Sequence, residues 1–346
     1  MPPLQQCVIL VGGLGTRLGA LTASRPKPLL PVGGRPFVHY LLWHARRFGF
    51  TKALLLAGYR AEVLAEEMQA LSVPGLDLQM VAEPEPLGTG GAICAAAEAL
   101  DEQFLLMNGD SLFDFNWLAL APIMAADPRC AVAMSLRAVA DASRFGVAEL
   151  DQGRVAAFHE RGGPEGGLIN AGVYLVRREG LSGFPGSGSF ERDMLPALAA
   201  DGRVRGLAAE GFFLDIGVPD SYEAAQTEVP QSLRRGAVIL PLERLSEPGA
   251  VARVRRANDQ GLFVFASAPG PLVAGPALGG LRASGTHCDG VFDTGAGWAW
   301  ALTELRAQWP ITVEASVLYG RDEQELAAAR ALGLTAIPAG RLTQSA

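Results

Sequence analysis

Runs of positive charge are missing from this chain. Lysine and arginine total 29 against 36 aspartates and glutamates, a formal net charge of −7, and the longest basic clusters are pairs such as Arg234–Arg235. A nucleic-acid backbone or an anionic membrane demands a dense basic surface, so neither is expected as a partner. Cysteine is scarce. Cys7, Cys94, Cys130 and Cys288 lie far apart, which argues against a disulfide framework or a zinc cluster and leaves each as a small buried hydrophobe. The four histidines are equally scattered. No apolar run approaches the roughly 20 residues of a membrane span. The first apolar stretch lasts only about five residues before Gly12 and Gly13, and no cationic region precedes it, so a secretory signal is not expected and a cytoplasmic location is.

Apolar material is plentiful, at 49% of 346 residues against 19% charged, enough for about two folded domains. Apolar strand-like runs alternate with helix-like ones from the start. "CVILV" (7–11), "KALLLAG" (52–58), "LDLQMVAE" (76–83), "QFLLMNGD" (103–110) and "CAVAMSL" (130–136) read as buried strands, separated by helical stretches such as "PFVHYLLWHARRFGF" (36–50). Continuous apolar strands between helices predict a mostly parallel sheet covered on both faces. After residue 140, "FGVAELD", "RVAAFHE" and "GLINAGVYLV" predict an added antiparallel layer. The polar stretch 227–236, "TEVPQSLRRG", reads as a domain boundary, giving domains at 1–230 and 231–346. The second is a smaller α/β unit, with a long loop where Gly and Pro crowd 269–297. Glu66–Glu67 and Arg46–Arg47 read as solvated helix faces, and Trp298 and Trp300 as packing residues or a patch for self-association.

The stretch "VILVGGLGTRLGALTASRPKPLLPVGGRP" (8–36) is the sharpest feature. It follows the first strand, at the carboxyl edge where open α/β sheets bind ligands. Its glycines let backbone N–H groups converge on an anion. Arg17 adds a planar fork suited to phosphate, and Lys27 a point charge held between Pro26 and Pro28. Two common phosphate motifs are excluded. No G-x-x-x-x-G-K-[ST] string occurs, and Leu18 stands at the third glycine of G-x-G-x-x-G.

This stretch, with "EPEPLGTGGAI" (83–93), "NGDSLF" (108–113), "FHERGG" (158–163), "INAGVY" (169–174) and "FFLDIGVPDSY" (212–222), resembles the sugar-phosphate nucleotidyltransferases, the NDP-sugar pyrophosphorylases. The resemblance spans about residues 5 to 228. Within the family it runs toward the D-glycero-α-D-manno-heptose 1-phosphate guanylyltransferases. It implies a Rossmann-like mixed, mostly parallel sheet of the glycosyltransferase-A kind. It also implies a reaction in which an NTP and a sugar 1-phosphate, here GTP and the heptose 1-phosphate, give an NDP-sugar and pyrophosphate for surface glycans. No covalent nucleophile is needed, so catalysis is positioning and charge neutralisation.

The same resemblance implies the site. Asp110 and Asp215 hold Mg²⁺, and with Arg17 and Lys27 form the catalytic set. Leu10, Gly12, Gly13, Gly15, Thr16, Arg17, Glu83, Leu87, Gly88, Thr89 and Asp110 contact the nucleotide. Asn108, Gly109, Glu160, Arg161, Asn170 and Gly172 contact the sugar phosphate. The plain alternative for Asp110, flanked by Gly109 and Ser111, is a turn or cap residue. Arg161 departs from the family's lysine; arginine binds phosphate too, but as a planar fork. The family often forms homo-oligomers.

Residues 237–337 resemble, more weakly, a haloacid-dehalogenase-type phosphatase, of the heptose bisphosphate kind. Pro241 stands at the nucleophile's position, Glu243 at the second acid, and Gly320–Arg321 and Glu325 at a later acidic motif. Proline has no nucleophile, so the resemblance implies an inactive domain. Rival readings are a pyrophosphorylase for mannose 1-phosphate, or one for UTP or dTTP with another sugar. Outside that class stand a regulatory nucleotide-sugar-binding protein and a working phosphatase.

Overall fold

The computed structural model describes residues 4–13, 15–83, 85–159, 162–163, 165–270 and 275–343. The chain divides into two compact units, Met1–Val229 and Pro230–Ala346.

In the first unit, β1 (Gln6–Leu10), β4 (Lys52–Ala57), β5 (Asp77–Ala82) and β6 (Gln103–Asn108) form a parallel block. The apolar residues of β1, β4 and β6 are almost wholly buried, as strands covered on both faces require. Between them lie a small hairpin, β2 (Pro31–Val32) and β3 (Arg35–Pro36), and the helices α1 (Phe37–Arg47), α2 (Ala61–Glu67) and α3 (Gly88–Ala95). Next come β7 (Ser111–Asp114), α4 (Leu120–Ala126), β8 (Val132–Val139), β9 (Val147–Asp151), β10 (Arg154–His159) and β11 (Gly167–Arg177). The unit closes with α5 (Leu195–Ala200), β12 (Val204–Ala208), β13 (Phe212–Asp215) and the start of α6 (Pro219–Ser232).

The main sheet has the order β5-β4-β1-β6-β11-β8-β12-β10-β9. It is mixed rather than mostly parallel. β11 is not part of an added layer but is inserted antiparallel between β6 and β8. Its apolar run is buried like that of its neighbours, with Tyr174 and Val176 at 0% exposure, so the run does not reveal strand direction.

Register sets the ligand edge. Leu10 lies opposite Leu56 and Asn108, and Ala57 opposite Ala82. The segments after β1, β4, β5 and β6 therefore emerge side by side. β11 approaches from the other direction. Its pairing shifts between Asn170 and Tyr174, so that Gly172, at φ 75°, turns beside Asn108 and Ser111.

One expectation for this unit changes. Arg47 is 2% exposed and paired with the buried Asp114 at 3.2 Å, because α1 packs that face against β7. Helix α6 runs through Pro230 to Ser232, with Val229 fully buried.

The second unit is a five-stranded parallel sheet of order β16-β15-β14-β17-β18: β14 (Ala237–Pro241), β15 (Phe263–Ala268), β16 (Gly290–Asp293), β17 (Val317–Gly320) and β18 (Thr335–Pro338). Its helices are α7 (Pro248–Asp259), α8 (Gly275–Ala283), α9 (Trp298–Gln308) and α10 (Glu323–Ala331). Residues 269–297, read from composition as a long loop, contain α8 and β16. Pairing of β16 with β15 and burial of Leu281 outweigh the glycines; residues 271–274 lie outside the described set. Trp298 is buried against Phe292, whereas Trp300 is half exposed. Beyond the carboxyl ends of β14, β15 and β17, Arg321 donates to both carboxylate oxygens of Glu243, to Glu325 and to Ser267.

Candidate active site

The close approach of two loops starts the site. A Cβ on Gly12 would lie 3.0 Å from the Gly58 nitrogen, so the turn after β1 packs directly on the turn after β4. Gly15 takes a left-handed conformation (φ 63°) that opens the tight turn carrying Thr16 and Arg17, and the Thr22 hydroxyl ties that turn by donating to the Gly15 carbonyl. Gly109 is held as closely. Its N–H donates to the Leu10 carbonyl at 3.0 Å, which fixes Asp110 at the end of β6.

Asp215 reaches the same place through a two-stranded ribbon. β13 pairs with β7, Asp215 lies opposite Ser111, and the Ile216 N–H donates to the Asp110 carbonyl at 2.9 Å. Each carboxylate has a cation beside it. Lys27 Nζ donates to Asp110 Oδ2 at 2.7 Å, and Arg144 Nη2 to Asp215 Oδ1 at 3.0 Å. Gly217 N–H also donates to Asp215 Oδ1. Among the described residues no hydrogen bond reaches Asp110 Oδ1 or Asp215 Oδ2. Burial, and then the negative charge of Asp110, push the Asp215 carboxyl up to about 6.

Two cavities meet at these residues. One, of about 590 Å³, is lined by Leu10, Gly12, Gly13, Lys27, Glu83, Gly88, Thr89, Asn108, Gly109 and Asp110 among the residues singled out from sequence, with Leu56, Tyr59, Glu85 and Pro86 besides. The other, of about 510 Å³, is lined by Arg17, Asn108, Asp110, Asn170 and Asp215, with Arg144, Phe158, Arg192 and Phe213. Asn108, Asp110, Ser189 and Glu191 border both. Arg17 thus borders the second cavity and not the first. Gly15, Thr16, Leu87 and Gly172 line neither. Leu87 instead donates its N–H to Glu83 Oε2 at 2.9 Å, and Gly172 its N–H to Asn170 Oδ1 at 3.2 Å. Glu160 and Arg161 lie outside the described residues.

The wall between the cavities contains a residue that the sequence reading passed over. Glu191 Oε1 accepts from Asn108 Nδ2 (3.0 Å), Asn170 Nδ2 (3.0 Å) and Tyr174 Oη (2.7 Å). Burial, and then the charge of Glu191, hold the Tyr174 hydroxyl well above its usual range, so it stays a donor. The segment bearing Glu191 is anchored on α3. Gly90 N–H donates to the Gly188 carbonyl and Phe190 N–H to Thr89 Oγ1, at 2.8 and 2.9 Å. A Cβ on Gly88 would come 2.6 Å from that same Gly188 carbonyl.

A bipartite cleft with Lys27 lining one half, Arg17, Arg144 and Arg192 lining the other, and Asp110 bordering both suits two phosphorylated ligands brought end to end. The family model described as nucleotidyl transferase matches residues 6–232. The chain belongs to the nucleotidyl transferase family. Among this nucleotidyltransferase's curated relatives, the D-glycero-α-D-manno-heptose 1-phosphate guanylyltransferase of Aneurinibacillus thermoaerophilus is 34% identical over 232 residues, 65% of this chain and 98% of that one. The mannose-1-phosphate guanylyltransferase of Mycobacterium tuberculosis is 32% identical over 298 residues, 83% of this chain and 79% of its own. The crystal structure of HddC from Yersinia pseudotuberculosis complexed with GMP-PN superposes with a TM-score of 0.58 at 29% identity, covering 65% of this chain and all of that one.

Proposed function

We propose that this nucleotidyltransferase joins GTP to a sugar 1-phosphate, D-glycero-α-D-manno-heptose 1-phosphate first among them, giving GDP-heptose and pyrophosphate. The broader statement, that it is a sugar-1-phosphate nucleotidyltransferase, follows from its family and its curated relatives. One observation carries the guanine reading. The larger cavity is lined by cationic Lys27, yet Glu83 and Glu85 also line it. A triphosphate cannot lie against two carboxylates, so that part of the cavity receives the base. Guanine presents two adjacent donors, N1–H and the 2-amino group, and the two carboxylates offer acceptor oxygens, Glu83 Oε2 already accepting the Leu87 N–H. Uracil and thymine present one N–H between two carbonyls and match these acceptors less well.

In the forward reaction an oxygen of the sugar phosphate bonds to the α-phosphorus, and the bond from that phosphorus to the leaving pyrophosphate breaks. The residues at the junction fit a hard divalent cation. Asp110 and Asp215 are oxygen donors, each keeps one oxygen without a hydrogen bond among the described residues, and they repel one another. Among the described residues no third acidic, histidine or cysteine side chain joins them, which suits Mg²⁺, an ion that binds through one or two carboxylates plus substrate phosphates. Asp110 and Asp215 would hold it, and when bound it would neutralise phosphate charge. Lys27 neutralises the departing pyrophosphate. Asn170, held by Glu191, orients the sugar. We read the second unit as a haloacid-dehalogenase-like fold without catalysis: Pro241 ends its first strand, and Arg321 fills the crevice where a ligand would sit.

Pyrophosphate release with Mg²⁺, over four NTPs and several sugar 1-phosphates, tests the reading. A dominant GTP–heptose signal is expected. A dominant mannose 1-phosphate signal would replace the sugar, a dominant UTP or dTTP signal the base, and silence throughout would overturn the reading.

A further inference from the structure

Resting on that reading, we infer that Arg144 is a residue that grips the phosphate of the incoming sugar 1-phosphate. Three guanidinium side chains border the second cavity: Arg17, Arg144 and Arg192. Geometry separates them. The attacking oxygen belongs to the sugar's phosphate and must reach the α-phosphorus held at the paired carboxylates, so that phosphate comes to rest beside Asp215. Among the described residues, Arg144 is the cation hydrogen-bonded to Asp215, at 3.0 Å.

Its surroundings suit a mobile clamp better than a fixed strut. The Arg144 guanidinium carbon sits 5.4 Å from the centroid of the Phe145 ring, and Phe145 abuts Phe213 edge to face at 5.7 Å. Phe145 thus packs against the guanidinium itself and is braced in turn by Phe213. The Arg144 side chain is 41% exposed, while that of its partner Asp215 is 18% exposed. Among the described residues the Arg144 fork, with five donors, makes one hydrogen bond, to the Asp215 carboxylate, and the side chain lines the cavity. The same arrangement recurs at Asp110 with Lys27. Each aspartate therefore carries a resting cation, and each cation borders the cavity where one of the two substrates lies. Arg144 passes from Asp215 to the sugar phosphate, where its fork can bind two oxygens at once. The site thus keeps its charge balanced before substrates arrive and gains a phosphate ligand when they do.

The test uses the full-length enzyme with whichever nucleotide and sugar 1-phosphate the wild type turns over best. Arg144→Gln is expected to raise KM for the sugar 1-phosphate by about 10- to 100-fold, the loss expected of a charge-assisted bond, and to leave KM for the NTP within about threefold. In the reverse direction KM for the NDP-sugar rises and KM for pyrophosphate does not. Calorimetric titration of the enzyme with the sugar 1-phosphate alone should weaken in parallel. Arg144→Lys, which keeps the charge without the fork, should recover only part of the loss. Equal increases in both forward KM values, or a fall in kcat with an unchanged KM for the sugar phosphate, would overturn the proposal and leave Arg144 as a support for Asp215. A wild type silent with every substrate pair would overturn the nucleotidyltransferase reading itself, and the clamp with it.

Discussion

Gly109 offers a direct test of how the site is positioned. It stands between Asn108 and Asp110, and a Cβ at this position would lie 2.4 Å from the Leu10 carbonyl oxygen. Real Cβ contacts essentially never fall below 3.0 Å, so Gly109→Ala must open this junction by roughly 0.6 Å. The neighbour is backbone at the end of a central strand and cannot rotate away. It also accepts the Gly109 N–H, so the opening stretches a bond now 3.0 Å long. Overpacking of this kind costs about 1–3 kcal/mol. For a unit of this size about 2 kcal/mol lowers Tm by roughly 4–8 °C. Asp110 moves with its neighbour, and a misplacement approaching 1 Å costs about a hundredfold in rate, so kcat should fall by about 10- to 100-fold. Gly13→Ala is the control, since a Cβ there meets nothing within 4 Å. Its Tm should stay within about 2 °C of wild type. Thermal unfolding and steady-state pyrophosphate release measure both effects. A Gly109→Ala enzyme with wild-type Tm and kcat would refute the packing argument. A lowered Tm with unchanged kcat would refute the link between this junction and catalysis.

Glu83→Gln replaces one acceptor oxygen with a donor, so GTP use should fall about 10- to 100-fold while UTP or dTTP use rises; an unchanged base preference in the NTP grid would remove Glu83 from base selection. Arg47→Met leaves buried Asp114 without its guanidinium and should cost about 3–5 kcal/mol, read by denaturant unfolding; a loss below about 1 kcal/mol would mean the pair is dispensable. Burial pushes the thiols of Cys7 and Cys288 up to about 12 and that of Cys130 up to about 11, so thiol reagents at pH 8 should leave all three unlabelled in the native protein. The sign for stability follows: below the ordinary thiol value of 9.0 both states are protonated, and above it the unfolded chain ionises first, so stability should drain away between about pH 9 and 12. Replacing the three cysteines with alanine should flatten that alkaline loss.

Some of this was legible in the chain. The strands β1, β4 and β6 are unbroken apolar runs because both their faces are covered, and the glycines after β1 stand where two backbones touch. Lys27, Asp110 and Asp215 were named from short motifs, and the fold brings all three to one junction. What escaped depends on contacts between distant segments. Glu191 sits in a stretch that reads as ordinary helix, where a glutamate normally faces water; only its three donors from Asn108, Asn170 and Tyr174 reveal it. Arg144 looks like a loop arginine until Asp215 is set beside it. β16 lay hidden because glycine and proline weigh against a strand locally, while pairing with β15 supplies the missing stabilisation. The direction of β11 has no sequence signal, because a strand buried on both faces looks the same parallel or antiparallel.

The insertion of β11 also sets an order of events during synthesis. Its neighbours β6 and β8 both precede it in the chain, yet they never pair with each other. Until Arg177 has emerged from the ribosome, the parallel block ending at β6 carries an unpaired apolar edge, and β8 has nothing to join on that side. Long-range pairing of this kind is slow and leaves sticky edges open in the meantime. A nascent or truncated chain ending near residue 160 is therefore the form most in need of a chaperone, and β11 is the piece whose arrival turns two half-sheets into one.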